Sequence, residues 1–97
     1  MILDAGTATV SSAGTAVQLS NTANRVLWLK AKALAANSGI TYLGVSDVSA
    51  TNGYELSAGN DIEINFGELG GSIVFSSVYV DAATNGDDVA WVAVLET

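Results

Sequence analysis

Between Asp61 and Phe66, polar and apolar residues alternate without a break. Ile62, Ile64 and Phe66 fall on one side, and Asp61, Glu63 and Asn65 on the other. A period of two with one apolar side predicts a half-buried strand. Similar short runs of Val, Ile, Thr, Tyr, Phe and Trp recur along the chain, separated by Gly, Asn, Asp and Ser. They predict strands at Thr7–Ser11, Ala16–Leu19, Arg25–Leu34, Ile40–Ser46, Tyr54–Leu56, Asp61–Phe66, Ile73–Val80 and Val89–Leu95. The spacing of roughly eight to twelve residues between turn signals points to a sandwich or barrel.

Three segments refine the picture. Leu29–Asn37 is rich in Ala, Leu and Lys, so a short helix competes there. A strand is preferred, because Leu27, Leu29, Ala31 and Ala33 lie at period two with Lys30 and Lys32 opposite. That register also places Trp28 outward beside the two lysines; a shifted register would bury it. In Val89–Leu95 the residues Val89, Trp91, Ala93 and Leu95 take one face, and Val92 and Val94 the other. A strand apolar on both faces is covered on both sides. In a two-layer sandwich the second cover comes from outside, and a neighbouring subunit is the simplest source. Ile73–Val80 carries a weaker version of the same pattern.

The first twenty residues are small residues and threonines with one charge, Asp4. Residues 1–15 therefore read as an extended arm or edge strand, and 16–97 as a single domain. The predicted fold is all-β: a compact antiparallel β-sandwich or jelly-roll-like barrel of about eight short strands.

Composition then narrows the function. Of 97 residues, 49% are hydrophobic and 13% charged. A chain this short has a small core, so surplus apolar surface predicts a homo-oligomer. The net charge is −7, and the three cations are Arg25, Lys30 and Lys32. That balance opposes binding to nucleic acid and to anionic membranes. No apolar run reaches the ~20 residues of a membrane span, and the start lacks a secretory signal. The chain is expected to be soluble where it is made.

There is no His and no Cys. A Ser–His–Asp triad, a His-ligated metal and a thiol nucleophile are thereby excluded. A Ser–Lys dyad would need Lys30 or Lys32, which read as a solvated face. Asp61 and Glu63 could form an acid pair, but alternation explains them as the wet side of a strand. Asp81–Val92 fits a calcium loop at Asp81, Asn85, Gly86 and Asp87, yet Val92 stands where a bidentate carboxylate is required. A turn at Asn85-Gly86 is the better account; a weak cation site at Asp81, Asp87 and Asp88 is the rival. In Thr51–Ile64, Asn52-Gly53 predicts a tight turn and Ala58-Gly59-Asn60 a corner. No enzyme activity and no cofactor are expected. The candidate contact residues are Trp28, Lys30, Lys32, Tyr54, Val92 and Val94. The first three form a strip suited to an acidic partner or to carboxylates of a second copy.

The runs RVLWLKAKALAANSGITYLGVSDVSATNGYELSAGNDIEI and SIVFSSVYVDAATNGDDVAWVAV resemble small β-rich virion proteins of tailed bacteriophages, most of all capsid decoration (cement) proteins. The resemblance runs from about Arg25 to the end and carries no catalytic signature. It implies a sandwich or jelly-roll unit, commonly a homotrimer, seated on the outer capsid and assembled in the host cytoplasm. The implied partner is the major capsid protein, gripped by an N-terminal arm that includes Ile2, Leu3 and Val10. The alternative is a receptor- or carbohydrate-binding knob of a phage fibre, for which Tyr54 is the exposed aromatic. The spacing of Gly53 and Gly59 superficially suggests a cupin, but without histidine the metal chemistry of that family is impossible.

Overall fold

A computed structural model describes all 97 residues, Met1–Thr97. The protein is an all-β sandwich with no α-helix. Nine strands run in order: β1 (Ile2–Val10), β2 (Val17–Gln18), β3 (Arg25–Ala33), β4 (Thr41–Gly44), β5 (Tyr54–Leu56), β6 (Asp61–Asn65), β7 (Ile73–Val74), β8 (Tyr79–Ala82) and β9 (Asp87–Leu95). One sheet has the order β1-β9-β3-β6, with short β7 also paired to β3; the other has the order β2-β8-β4-β5. All pairings are antiparallel.

The pairs are nested. β4 pairs with β5, β3 with β6, β2 with β8 and β1 with β9. One long hairpin is thus rolled into two layers, and this is the jelly-roll winding. The core between the layers is built from the inward residues: Val10, Val26, Leu29, Phe75, Val80, Val89 and Leu95 among them. Phe75 is fully buried and meets Trp91 edge-on, with ring centroids 4.8 Å apart at 80°. Gly6 makes room for that indole. A Cβ on Gly6 would stand 2.8 Å from Trp91 Cζ2.

Several expectations change. Leu29–Asn37 is strand to Ala33 and then a turn, with the Asn37 N–H donating to the Leu34 carbonyl at 3.0 Å. Inward alternation on β3 runs through Val26, Leu29, Ala31 and Ala33, because a bulge between Val26 and Trp28 displaces Leu27 from the series. The bulge explains why Leu27 is only half-buried.

Ile73–Val80 is not one strand. Ile73–Val74 pairs in the first sheet, Phe75–Ser77 makes a 3-10 turn, and Tyr79–Ala82 pairs in the second sheet. The segment crosses the core, so its inward side changes along its length. Apolar residues on both sides follow from that crossing, not from an external cover.

The N-terminal residues are an edge strand rather than a free arm. β1 pairs with β9 along all nine residues, from Ile2↔Leu95 to Val10↔Asp87. Val10 is wholly buried and Ala8 nearly so. Val10 is therefore a core residue and cannot reach a capsid, whereas Ile2 and Leu3 remain exposed.

Turn chemistry is partly as expected. Gly59 and Gly86 hold positive φ at 84° and 87°, in the predicted corner and turn. Asn52-Gly53 is not the turn. Ser49 and Asn52 exchange backbone hydrogen bonds of 3.0 and 3.1 Å, so the reversal falls on Ala50 and Thr51. Gly53 is needed for close approach instead, since a Cβ there would lie 2.6 Å from Val48 Cγ2.

Candidate functional site

The outer face of the first sheet brings most of the candidate residues together. Register places Leu3, Val94, Trp28 and Asn65 in one row across β1, β9, β3 and β6. The next row is Ala5, Val92, Lys30 and Glu63, and the third is Thr7, Ala90, Lys32 and Asp61. An apolar stripe on β1 and β9 thus lies beside a cationic row on β3 and an acidic row on β6. Val92 and Val94 are half-buried there without any covering layer.

Trp28 faces outward as the alternation predicts, and it already has a partner. Its indole N–H donates to Glu63 Oε2 at 2.8 Å. Lys30 Nζ lies 3.6 Å from Asp61 Oδ2, and Lys32 has no ion pair. The basic strip is therefore largely balanced by the chain's own β6, which weakens its claim on an acidic partner.

Charge is unevenly placed. All three cations sit on the outward side of β3. That face holds them with four acids, Asp61, Glu63, Asp88 and Glu96, for a net of −1. The six remaining acids have no cation near them in sequence or sheet and make up the rest of the −7. Two copies of this chain repel least across this face.

The second feature is a cleft between the sheets at the β5/β6 side. It has a volume of about 260 Å³, and 9 of its 11 lining residues are hydrophobic. Of its lining side chains only Ser77 and Tyr54 carry a polar group. Leu29 and Leu43 form its floor, Ile62, Ile64 and Phe66 one wall, and Tyr54 stands at the mouth, 56% exposed. Sequence alternation identified Ile62 and Ile64 as inward but could not show that the layers stay apart beside them. Tyr54 was legible as an exposed aromatic, its neighbours across the cleft were not.

Among the acids of residues 81–88, Asp81 and Asp87 hold loop backbone through their carboxylates, while Asp88 Oδ1 accepts from the Thr9 hydroxyl. Asp87 is buried and accepts the N–H groups of Ser38 and Gly39, both at 2.9 Å. Asn37 Nδ2 donates to the Asp88 carbonyl at 2.8 Å, and the Asp88 N–H donates back to Asn37 Oδ1 at 2.9 Å. Asp81 Oδ1 accepts from Gly14 N–H at 2.9 Å and from Ala82 N–H at 2.8 Å. Asn85 Oδ1 accepts from Ala13 N–H at 2.7 Å. These groups pin two loops to the sheet, and no three carboxylates converge into a group able to hold a metal ion. Asp81, Asp87 and Asp88 thus spend carboxylate oxygens on separate partners, Gly14 and Ala82, Ser38 and Gly39, and Thr9. Asp87→Ala is expected to cost about 2–4 kcal/mol, because two part-buried N–H groups lose a charged acceptor. Urea unfolding would measure it, and a loss under about 0.5 kcal/mol would refute the clamp.

The fold and this geometry define a small jelly-roll domain with an apolar outer stripe and an open inter-sheet cleft. No known protein family, curated protein or solved structure matches the chain.

Proposed function

We propose that the protein is a non-enzymatic structural component of a tailed-phage virion, binding the outer capsid as a decoration protein that stabilises the shell. The observation that carries this reading is the outward stripe of Leu3, Ala5, Val92 and Val94 on a near-neutral face of an otherwise acidic molecule. Uncovered apolar surface of this kind marks an interaction site. The chain offers no His or Cys for catalysis, and its buried acids are spent on loop backbone. Jelly rolls also recur in viral shells, although fold alone assigns no role.

The proposed assembly is a homo-oligomer, with a trimer expected, joined through this stripe and resting on the major capsid protein. Leu3, at the exposed end of β1, belongs to this stripe, whereas Ile2 stands in the row of inward Leu95 and points to the other side of the sheet. Binding is proposed to occur through this preformed face, not through a detached arm.

Native mass measurement should give an oligomer. Val92→Glu, at a half-buried outward position, should leave the fold intact and lower the association constant at least tenfold, the equivalent of about 1.4 kcal/mol. Co-sedimentation with capsids of the parent phage should be saturable and lost in the same variant. A monomer at every concentration would defeat the self-association, and absence of saturable capsid binding would defeat the decoration role. Tyr54 at the cleft mouth favours the second reading, a binding knob of a fibre. A glycan array with specific hits abolished by Tyr54→Ala would select it.

A further inference from the structure

β6 borders the cleft and is the last strand of its sheet; only one of its two backbone edges is paired. Edge strands are commonly guarded by short length, charge, proline or a bulge. β6, Asp61–Asn65, has no proline and no lysine; its guards are the acids Asp61 and Glu63, which repel an acidic strand and leave a basic one admissible. Its inward residues Ile62 and Ile64 are half-buried because the opposite layer stops at β5.

The paired edge shows what β6 accepts. On that side β3 places Leu29 against Ile64, Lys30 against Glu63, Ala31 against Ile62 and Lys32 against Asp61. Apolar residues meet the isoleucines on the inner side, and lysines meet the acids on the outer side. A strand added to the free edge would meet the same two rows, since cross-strand neighbours share a face. Its inner residues would project over the cleft, whose volume suits aliphatic side chains from one strand and not a helix some 10 Å across.

From this we propose that the free edge of β6, with the cleft beside it, is a strand-docking site for an extended peptide that alternates apolar and basic residues. Main-chain hydrogen bonds would hold the strand, the cleft would take its apolar side chains, and the carboxylate oxygens that Asp61 and Glu63 do not commit to Lys30 and Trp28 would select its cations. The pattern also disfavours a second copy as occupant. Leu29–Ala33 is the only segment of this chain with apolar–basic alternation, and it lies paired on both sides inside its own sheet. The inference goes beyond the virion reading and does not depend on it.

The test uses the full isotope-labelled chain and three synthetic heptapeptides. One alternates valine and lysine, one has the same composition with the valines contiguous, and one alternates valine and glutamate. The alternating lysine peptide is expected to bind at least tenfold tighter than either other peptide. It should shift and protect the amides of residues 61–65 and perturb Tyr54. In Asp61→Asn/Glu63→Gln, which keeps the fold and the edge, the preference for lysine over glutamate should disappear. Equal binding of the contiguous-valine peptide would mean general attraction of a basic peptide to an acidic protein, and would overturn the proposal. So would shifts confined to β1, the other edge. A cleft that takes decanoate but none of the peptides would overturn it in favour of a small-molecule pocket.

Discussion

Removing residues 1–10 should leave a chain that does not fold, rather than a folded domain that has merely lost a capsid-binding arm. β1 supplies nine pairings to β9, and Ala8 and Val10 belong to the core. Without it, β9 becomes an edge. The inward residues Val89, Trp91 and Ala93 would then lose their lateral cover. A small domain has roughly 5–15 kcal/mol of total stability. Losing a nine-residue strand together with two buried side chains exceeds what such a margin tolerates. Far-UV circular dichroism and native mass of the truncated protein would show an unfolded or aggregated product. A soluble domain with the parent spectrum would show that β1 is dispensable and would restore the arm. Gly6→Val is the graded companion. Its side chain would press on Trp91, with overpacking worth about 1–3 kcal/mol.

The second large effect is expected at Phe75. It is the largest fully buried side chain, it packs edge-on against Trp91, and it sits in the 3-10 turn where the chain passes between sheets. Phe→Ala at such a site costs about 3–5 kcal/mol, from lost transfer energy and the cavity left behind. For a domain of this size the midpoint of thermal unfolding should fall by roughly 15 °C or more. Phe75→Leu, which retains most of the volume, should cost well under half as much. Equal melting of parent and Phe75→Ala would mean that the core closes without this plug.

The residues that announced themselves in the sequence were those whose environment is set by one strand. Asp61–Asn65 alternates because one side faces water and the other faces the core. Trp28 joined Lys30 and Lys32 on the outer face because period two leaves it nowhere else once the lysines face out. The two-sided apolarity of β9 was visible for the same reason. What stayed hidden depends on two strands at once. Ile73–Val80 alternates as well as a single strand would, yet it divides between sheets, because its neighbours and not its own period decide where it pairs. The small side chains of β1 gave little sign of burial, although Gly6 and Ala8 are small because Trp91 and the second sheet press close. The cleft is a gap between layers. No residue type encodes a gap, so only Tyr54 hinted at it.

The nested hairpin also dictates an order of events. β4 and β5 lie close in the chain and can meet early, whereas Ile2 must find Leu95. Contacts between residues so distant in sequence close late, and folding dominated by them takes roughly milliseconds to seconds. β9 is central in its sheet and is synthesised after the other eight strands. While the chain is still on the ribosome, β1 and β3 have no strand between them, and their inward faces stay open until residues 87–95 emerge. A strand apolar on both faces from Val89 onward therefore acts as the closing stave, and a nascent chain stalled before it would present both unfinished edges to whatever chaperone or sibling chain lies nearest.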